Sequence, residues 1–140
     1  IKALIENCDR HGSVVVYNQA FEKRINRELG ENFPEFADSL ESISERMVDL
    51  LGPFRSRWLY HPDMKGSASL KSVLPAFVND MRYEGLEIGD GETASNQYLC
   101  CAKGLVDDPA KENIYKHLKE YCFQDTLAEV RLLEVLYQNQ

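Results

Sequence analysis

At 140 residues the chain has room for one ordinary domain with a real core. Sixteen basic against twenty-three acidic residues leave a formal charge of -7, which excludes a protein that holds nucleic acid by bulk positive charge and confines any such contact to a local patch. No apolar run approaches the roughly 20 residues that cross a bilayer, and the start lacks the basic-then-apolar layout of a signal peptide, so the expectation is a cytoplasmic protein without membrane contact.

In chain order, Ile1, Leu4, Ile5 and Cys8 recur at helical spacing, and their helix should stop at Gly12, where "DRHG" supplies the glycine that a left-handed terminus prefers. The chain thus opens at Ile1, without Met and inside a helix, as a domain cut from a longer protein would. "SVVVY", residues 13–17, reads as a strand, and its continuous Val14, Val15 and Val16 point to burial on both faces, the mark of an α/β sheet covered by helices. From about Gln19 to Leu29 the pattern is helical, with Phe21, Ile25 and Leu29 on one face and Gly30 as its end. A second helix is predicted from about Pro34 to Leu50, burying Leu40, Ile43, Met47 and Leu50; Arg46 and Asp49 on it read as a surface ion pair.

"RWLY" suggests a short extended segment before "HPDMKGS" turns the chain. Ser69 looks like the N-cap of a short helix through "LKSVLPAF", which Pro75 must shorten or kink. After a turn at "LEIGDGE", Thr93 to Lys103 is predicted helical with Tyr98 and Cys101 inward. Asp108 and Pro109 suit the N-cap and first position of a C-terminal helical region. Its stripe runs through Ile114, Leu118 and Tyr121 or Cys122, then Leu127, Val130, Leu133 and Val135; one helix, or two meeting near Glu120, both fit. With no repeat or linker, residues 1–140 read as a single domain. The four cysteines, Cys8, Cys100, Cys101 and Cys122, form no CxxC pair and have no His at zinc-finger spacing, so buried free thiols are expected.

Two pairs of residues carry candidate chemistry. Asn18 ends a strand and Glu22 follows four residues on; Tyr121 and Asp125, also four apart, project from one helix face. Taken singly, each has an ordinary reading: Asn18 caps a helix, the two acids are solvated, and Tyr121 lies at a core edge. In order, however, "NQAFE" and "YCFQD" resemble the second and third motifs of the DEDD superfamily of 3′-5′ exonucleases, tyrosine subclass, which have a ribonuclease-H-like fold. "YNQAFE", "RMVDL", "GSASLKSVLP" and "YCFQDTLAEV" also occur in the order found in an uncharacterised bacterial family of exonuclease-like domains, sometimes joined to RecB-like nuclease segments. That similarity spans nearly the whole chain.

The resemblance implies an α/β fold: the helix-rich C-terminal portion of a ribonuclease-H-like domain, with few strands. Two departures stand against the family pattern. No Asp-x-Glu, the superfamily's opening motif, precedes Asn18, and Glu6 and Asp9 lie in the apparent first helix, so that motif and its strands are expected upstream of Ile1. Glu22 also stands where Asp is commoner, and its extra methylene re-aims the carboxylate.

Phosphodiester hydrolysis needs an activated water and neutralisation of the leaving oxygen, which two divalent ions about 3.5–4 Å apart supply. Hard oxygen ligands suit Mg²⁺ or Mn²⁺. The resemblance implies that Asp125 joins the Asp-x-Glu at one metal ion, that Glu22 holds the other largely through water, and that Tyr121 orients the attacking water. It also implies that Glu22 and Asp125 approach one another near the end of the strand containing Val16. Asn18 would fix the strand-to-helix turn or contact the substrate strand. Lys71, beside Gly66 and Ser67, could meet a phosphate near a helix N-terminus, although a helix cap with a solvated lysine is the commoner meaning. His117, eight residues before Asp125, does not fit the histidine subclass. The expected function is a metal-dependent exonuclease acting on a DNA or RNA 3′ end, inactive as these residues alone. The alternatives are a degenerate exonuclease-like domain that binds nucleic acid or a partner without cleaving, and a helical interaction module.

Overall fold

The computed structural model describes residues 1–8, 11–78, 81, 83 and 85–138. The described chain is mostly helical with one pair of short parallel strands, an α/β class with few strands. It divides into two compact units, Ile1–Leu70 and Lys71–Gln140.

The first unit is built on a strand–helix–strand crossover. Strand β1 (Val14–Val16) pairs in parallel with β2 (Met47–Asp49), Val14 opposite Met47 and Val16 opposite Asp49. Between them run α2 (Gln19–Asn32), a 3-10 turn at Pro34–Phe36, and α3 (Ala37–Glu45). Parallel neighbours require such a crossover, because a tight turn can only reverse the chain. The sequence predicts helix through Leu50; instead the helix ends at Glu45 and "RMVDL" becomes a strand. A short apolar run fits either period, and the backbone of β1 decides it: Val14 N–H donates to the Arg46 carbonyl at 2.9 Å and Leu50 N–H to the Val16 carbonyl at 2.9 Å. The expected Arg46–Asp49 ion pair is replaced by bonds from the Arg46 guanidinium to the Gly12 and Ser42 carbonyls.

Helix α2 also departs from its pattern. Gly30 does not end it; the helix continues to Asn32, and a β-carbon at Gly30 would lie 3.3 Å from the Ala37 Cα, so the glycine serves close approach to α3. Its buried residue is Asn26, which donates to Ser44 Oγ at 3.1 Å, while Phe21, predicted to face the core, is 48% exposed under the Arg24 guanidinium. Helix α1 (Lys2–Asn7) stops short of Gly12, and Asp9 lies outside the described residues. Of the three valines of β1 only Val16 is buried, so the expected cover of both sheet faces is partial. After β2, α4 (Leu51–Arg55) places Leu51 and Phe54 in a core with Leu40, Ile43, Leu50 and Met64. "RWLY" is not extended: it follows α4 as a turn, with Trp58 exposed.

The second unit contains α5 (Leu70–Phe77, beginning at the unit boundary), α6 (Gly91–Ala102) and α7 (Asp108–Gln138). Pro75 lies inside the short α5. Asp90 caps α6 by accepting from the Thr93 N–H and hydroxyl, both at 2.8 Å, which starts the helix ahead of the predicted Thr93. Cys101 is buried as expected, whereas Tyr98, predicted inward, lies outward in an edge contact with Tyr115. The C-terminal region is one helix of 31 residues, and its cap is Asp107, one residue before the predicted Asp108. Its most buried residues are Ala128 and Leu132; Val130 is 48% exposed. The cysteines are all free, with Cys101 buried, Cys8 and Cys100 half-buried and, contrary to expectation, Cys122 exposed. Among the described residues no helix is long and apolar enough to cross a membrane.

The first unit closes through Asp49. Its Oδ1 accepts from the Asn18 N–H at 2.8 Å and from the Leu51 N–H at 2.9 Å, tying the turn after β1 to the turn after β2. Asp49→Ala leaves both N–H groups without that acceptor and is expected to destabilise the chain by about 1–3 kcal/mol in urea denaturation followed by helical circular dichroism. Val48→Thr, on the exposed face of the same strand, should stay within about 0.5 kcal/mol of wild type.

Candidate functional site

Asn18 stands at the carboxyl end of β1 with φ 76° and ψ 66°, a left-handed conformation that Asn tolerates better than most side chains. It occupies the N-cap position of α2, but its side chain makes no capping bond. The cap is made by its backbone: the Asn18 carbonyl accepts from the Phe21 N–H at 3.0 Å while its own N–H is held by Asp49. Asn18 lines a cleft of about 550 Å³ at the carboxyl ends of both strands, together with Tyr17, Leu51, Arg55, Ser69 and their neighbours. The carboxyl ends of parallel strands are where open α/β sheets hold ligands. Tyr17 forms one wall, its hydroxyl donating to the Ala68 carbonyl at 2.6 Å. Burial raises its pKa well above the ordinary phenol value, the Asp49 charge adds to this, and the Arg55 charge opposes it. Glu22 lies half-buried in the first turn of α2, and burial raises its pKa.

In the second unit, Ile114, Leu118, Tyr121, Asp125, Ala128, Leu132 and Val135 follow alternating steps of four and three, which is the seam of a packed helix. Asp125 is thus a carboxylate in an otherwise mainly apolar row. The Tyr83 hydroxyl donates to Asp125 Oδ1 at 2.7 Å, and Tyr121 also hydrogen-bonds this carboxylate. The two phenol rings meet at a tilt, 6.4 Å between centroids. Burial first, then the bond to Asp125 and its charge, raise the pKa of both tyrosines far above the ordinary value. Both hydroxyls therefore stay protonated near neutral pH.

Lys71 belongs to this cluster. Its ammonium donates to the Gly89 carbonyl and stands 5.7 Å from the Tyr83 ring centroid. Asp90, adjacent, has its pKa lowered by the Thr93 bonds and by the Lys71 charge. The string Asp90-Gly91-Glu92 does read Asp-x-Glu, but it opens a helix and its first carboxylate is already committed to the cap.

Within the second unit the structure therefore brings Tyr121, Asp125 and Lys71 together through Tyr83; Asn18 and Glu22 belong to the first. Asp49, Arg55 and Tyr83 are participants that sequence reasoning missed. Asp49 would have been found had "RMVDL" been read as a strand ending in an acid; nothing in the string marks Tyr83, which lies in a loop. Asp125 and Glu22 are hard oxygen donors of the type Mg²⁺ or Mn²⁺ takes, though among the described residues no three acidic, His or Cys side chains converge as a metal-holding group. A family model described as a domain of unknown function (DUF2779) matches residues 1–69, nearly the same stretch as the first compact unit. No curated protein and no solved structure matches the chain.

The raised pKa of Glu22 has a definite pH signature. A carboxyl that titrates higher in the folded than in the unfolded chain favours folding while protonated, and that contribution is lost as pH rises through its folded pKa. Glu22→Gln should therefore raise the urea midpoint near neutral pH and lose this advantage below the ordinary carboxylate range, as denaturation curves at the two pH values would read.

Proposed function

We propose that the chain is part of a metal-dependent 3′-5′ exonuclease of the DEDD superfamily, tyrosine subclass, with a ribonuclease-H-like fold, hydrolysing phosphodiester bonds at DNA or RNA 3′ ends. The observation that carries the reading is Asp125, a carboxylate in a helix seam with Tyr121 one turn before it and bonded to it. A charge in such a row is costly unless it has work to do. The strand-to-helix junction at Asn18, with Glu22 in the first turn that follows, supports it from the other motif.

In this reading Asp125 and Glu22 supply oxygen ligands, completed by an Asp-x-Glu pair contributed outside these motifs. When bound, Mg²⁺ or Mn²⁺ would activate water and neutralise the leaving oxygen. Tyr121, kept protonated by its surroundings, holds and orients a water through its hydroxyl. The Asn18 amide, not used in capping, contacts the nucleic-acid strand. A second reading, a degenerate domain that binds nucleic acid or a partner without cleaving it, is favoured by one observation: Asp125 Oδ1 already accepts from Tyr83.

Incubation of a labelled oligonucleotide with Mn²⁺ tests the proposal. The 140 residues alone should not shorten it, since two carboxylates do not hold two hydrated ions. In a longer protein carrying the Asp-x-Glu pair, Asp125→Asn should abolish cleavage and Tyr121→Phe should slow it by ~10²-fold, leaving a measurable remainder. Wild-type rates in both variants would overturn the assignment, and a longer protein that binds but never cleaves would establish the second reading.

A further inference from the structure

We infer that Arg55 and the Asn18 amide form a phosphate-binding subsite in the cleft at the carboxyl ends of β1 and β2, which takes a backbone phosphate of a nucleic-acid strand; the choice of a strand rests on the reading above. Arg55 is exposed in the last turn of α4 and lines the cleft. Among the described arginines, Arg24 pairs with Glu28, Arg131 with Glu134, and Arg46 is bonded to two carbonyls, whereas Arg27, Arg55 and Arg57 make no such contact; of these three Arg55 is the one that lines the cleft. Arg55 has no acidic partner among the described residues, in a chain with twenty-three acids against sixteen bases. The acid that acts on the same Tyr17 phenol, Asp49, has one oxygen committed to two backbone N–H groups.

The guanidinium thus keeps its fork of donors, and the Asn18 amide offers another from the turn after β1. This combination suits the oxygens of a phosphate. The cleft, about 550 Å³, is larger than a lone anion needs, and Tyr17, Leu51 and Leu70 give it apolar wall for the sugar or base next to the phosphate. Tyr17 is held in place by its bond to Ala68, so that wall is formed before a ligand arrives. In an acidic chain, which repels nucleic acid at long range, a cation and an amide in one cleft, neither with a side-chain partner among the described residues, are the kind of local contact that binding requires.

The test is fluorescence anisotropy of a labelled single strand of about twelve nucleotides, DNA and RNA in turn, with the 140-residue chain in low salt and excess EDTA. Arg55→Ala should weaken binding by ~10-fold and lower the dependence of log affinity on log salt by about 1. Arg55→Lys should keep the salt dependence while losing part of the affinity, because the charge remains and the fork does not. A methylphosphonate strand of the same sequence, with a neutral backbone, should not bind. Overturning results are Arg55→Ala binding like wild type with an unchanged circular dichroism spectrum, equal binding of the neutral strand, or no binding by the wild-type chain. Full competition by inorganic phosphate at the concentration of the strand would assign the site to the free anion and overturn the strand assignment. Because EDTA removes cleavage from the measurement, failure here leaves the Asp125 assay standing. An inactive longer protein with Arg55-dependent binding would end the exonuclease reading and leave the subsite.

Discussion

The first unit depends on one carboxylate oxygen. Asp49 Oδ1 accepts from two backbone N–H groups, Asn18 at 2.8 Å and Leu51 at 2.9 Å, each the first turn after a strand. Hydrogen bonds to a charged acceptor are stronger than neutral ones, and both donors would otherwise point into a partly buried junction. The bond to Asn18 helps hold a non-glycine residue in a left-handed conformation, and that conformation turns the chain from β1 into α2. Glu22 is presented from the first turn of that helix. The bond to Leu51 sets the start of α4 and, through it, the position of Arg55. Two short strands with few ladder bonds would define this geometry weakly by themselves; the shared acceptor fixes their ends together.

The second unit resolves a different constraint. Asp125 occupies a seam position where a leucine would pack without penalty, and its charge is made tolerable by phenol hydroxyls from Tyr83 and Tyr121. The same arrangement keeps both phenols protonated, because ionising either would put a second negative charge beside the first. Lys71 stands over the Tyr83 ring, so the cluster contains a cation, two phenols and a carboxylate held by α5, α7 and the loop before α6. Cationic and anionic groups are thus distributed locally in a chain whose overall balance is acidic.

How these local features were legible follows from how far apart their causes lie. The strand of valines, the helix after Asn18, the turn at "LEIGDGE" and the helical character of the C-terminal region are visible because period and turn chemistry act over a few residues. The pairs Asn18 with Glu22 and Tyr121 with Asp125 are visible for the same reason: a spacing of four on a helix states which side chains share a face. The misread elements all needed a partner from elsewhere. "RMVDL" has an apolar pattern compatible with helix and becomes a strand because β1 offers it backbone bonds. Gly30 looks like a helix terminus and is instead a contact point for Ala37. Phe21 fits an apolar stripe, yet the buried member of α2 is Asn26, satisfied by Ser44 of α3.

The sequence by itself determined the class of the fold, the strand-to-helix junction at Asn18, the single face shared by Tyr121 and Asp125, and the exclusion of bulk electrostatic binding, since each depends on composition or on residues within a turn of one another. Only the tertiary structure decided that Asp49 closes the junction, that Tyr83 reaches Asp125 across 42 residues, and that Arg55 lines a cleft without an acidic partner among the described residues. Those outcomes depend on which distant backbone groups and side chains come within hydrogen-bond range, and a hydrogen bond, unlike a helical period, leaves no mark on the residues between its ends.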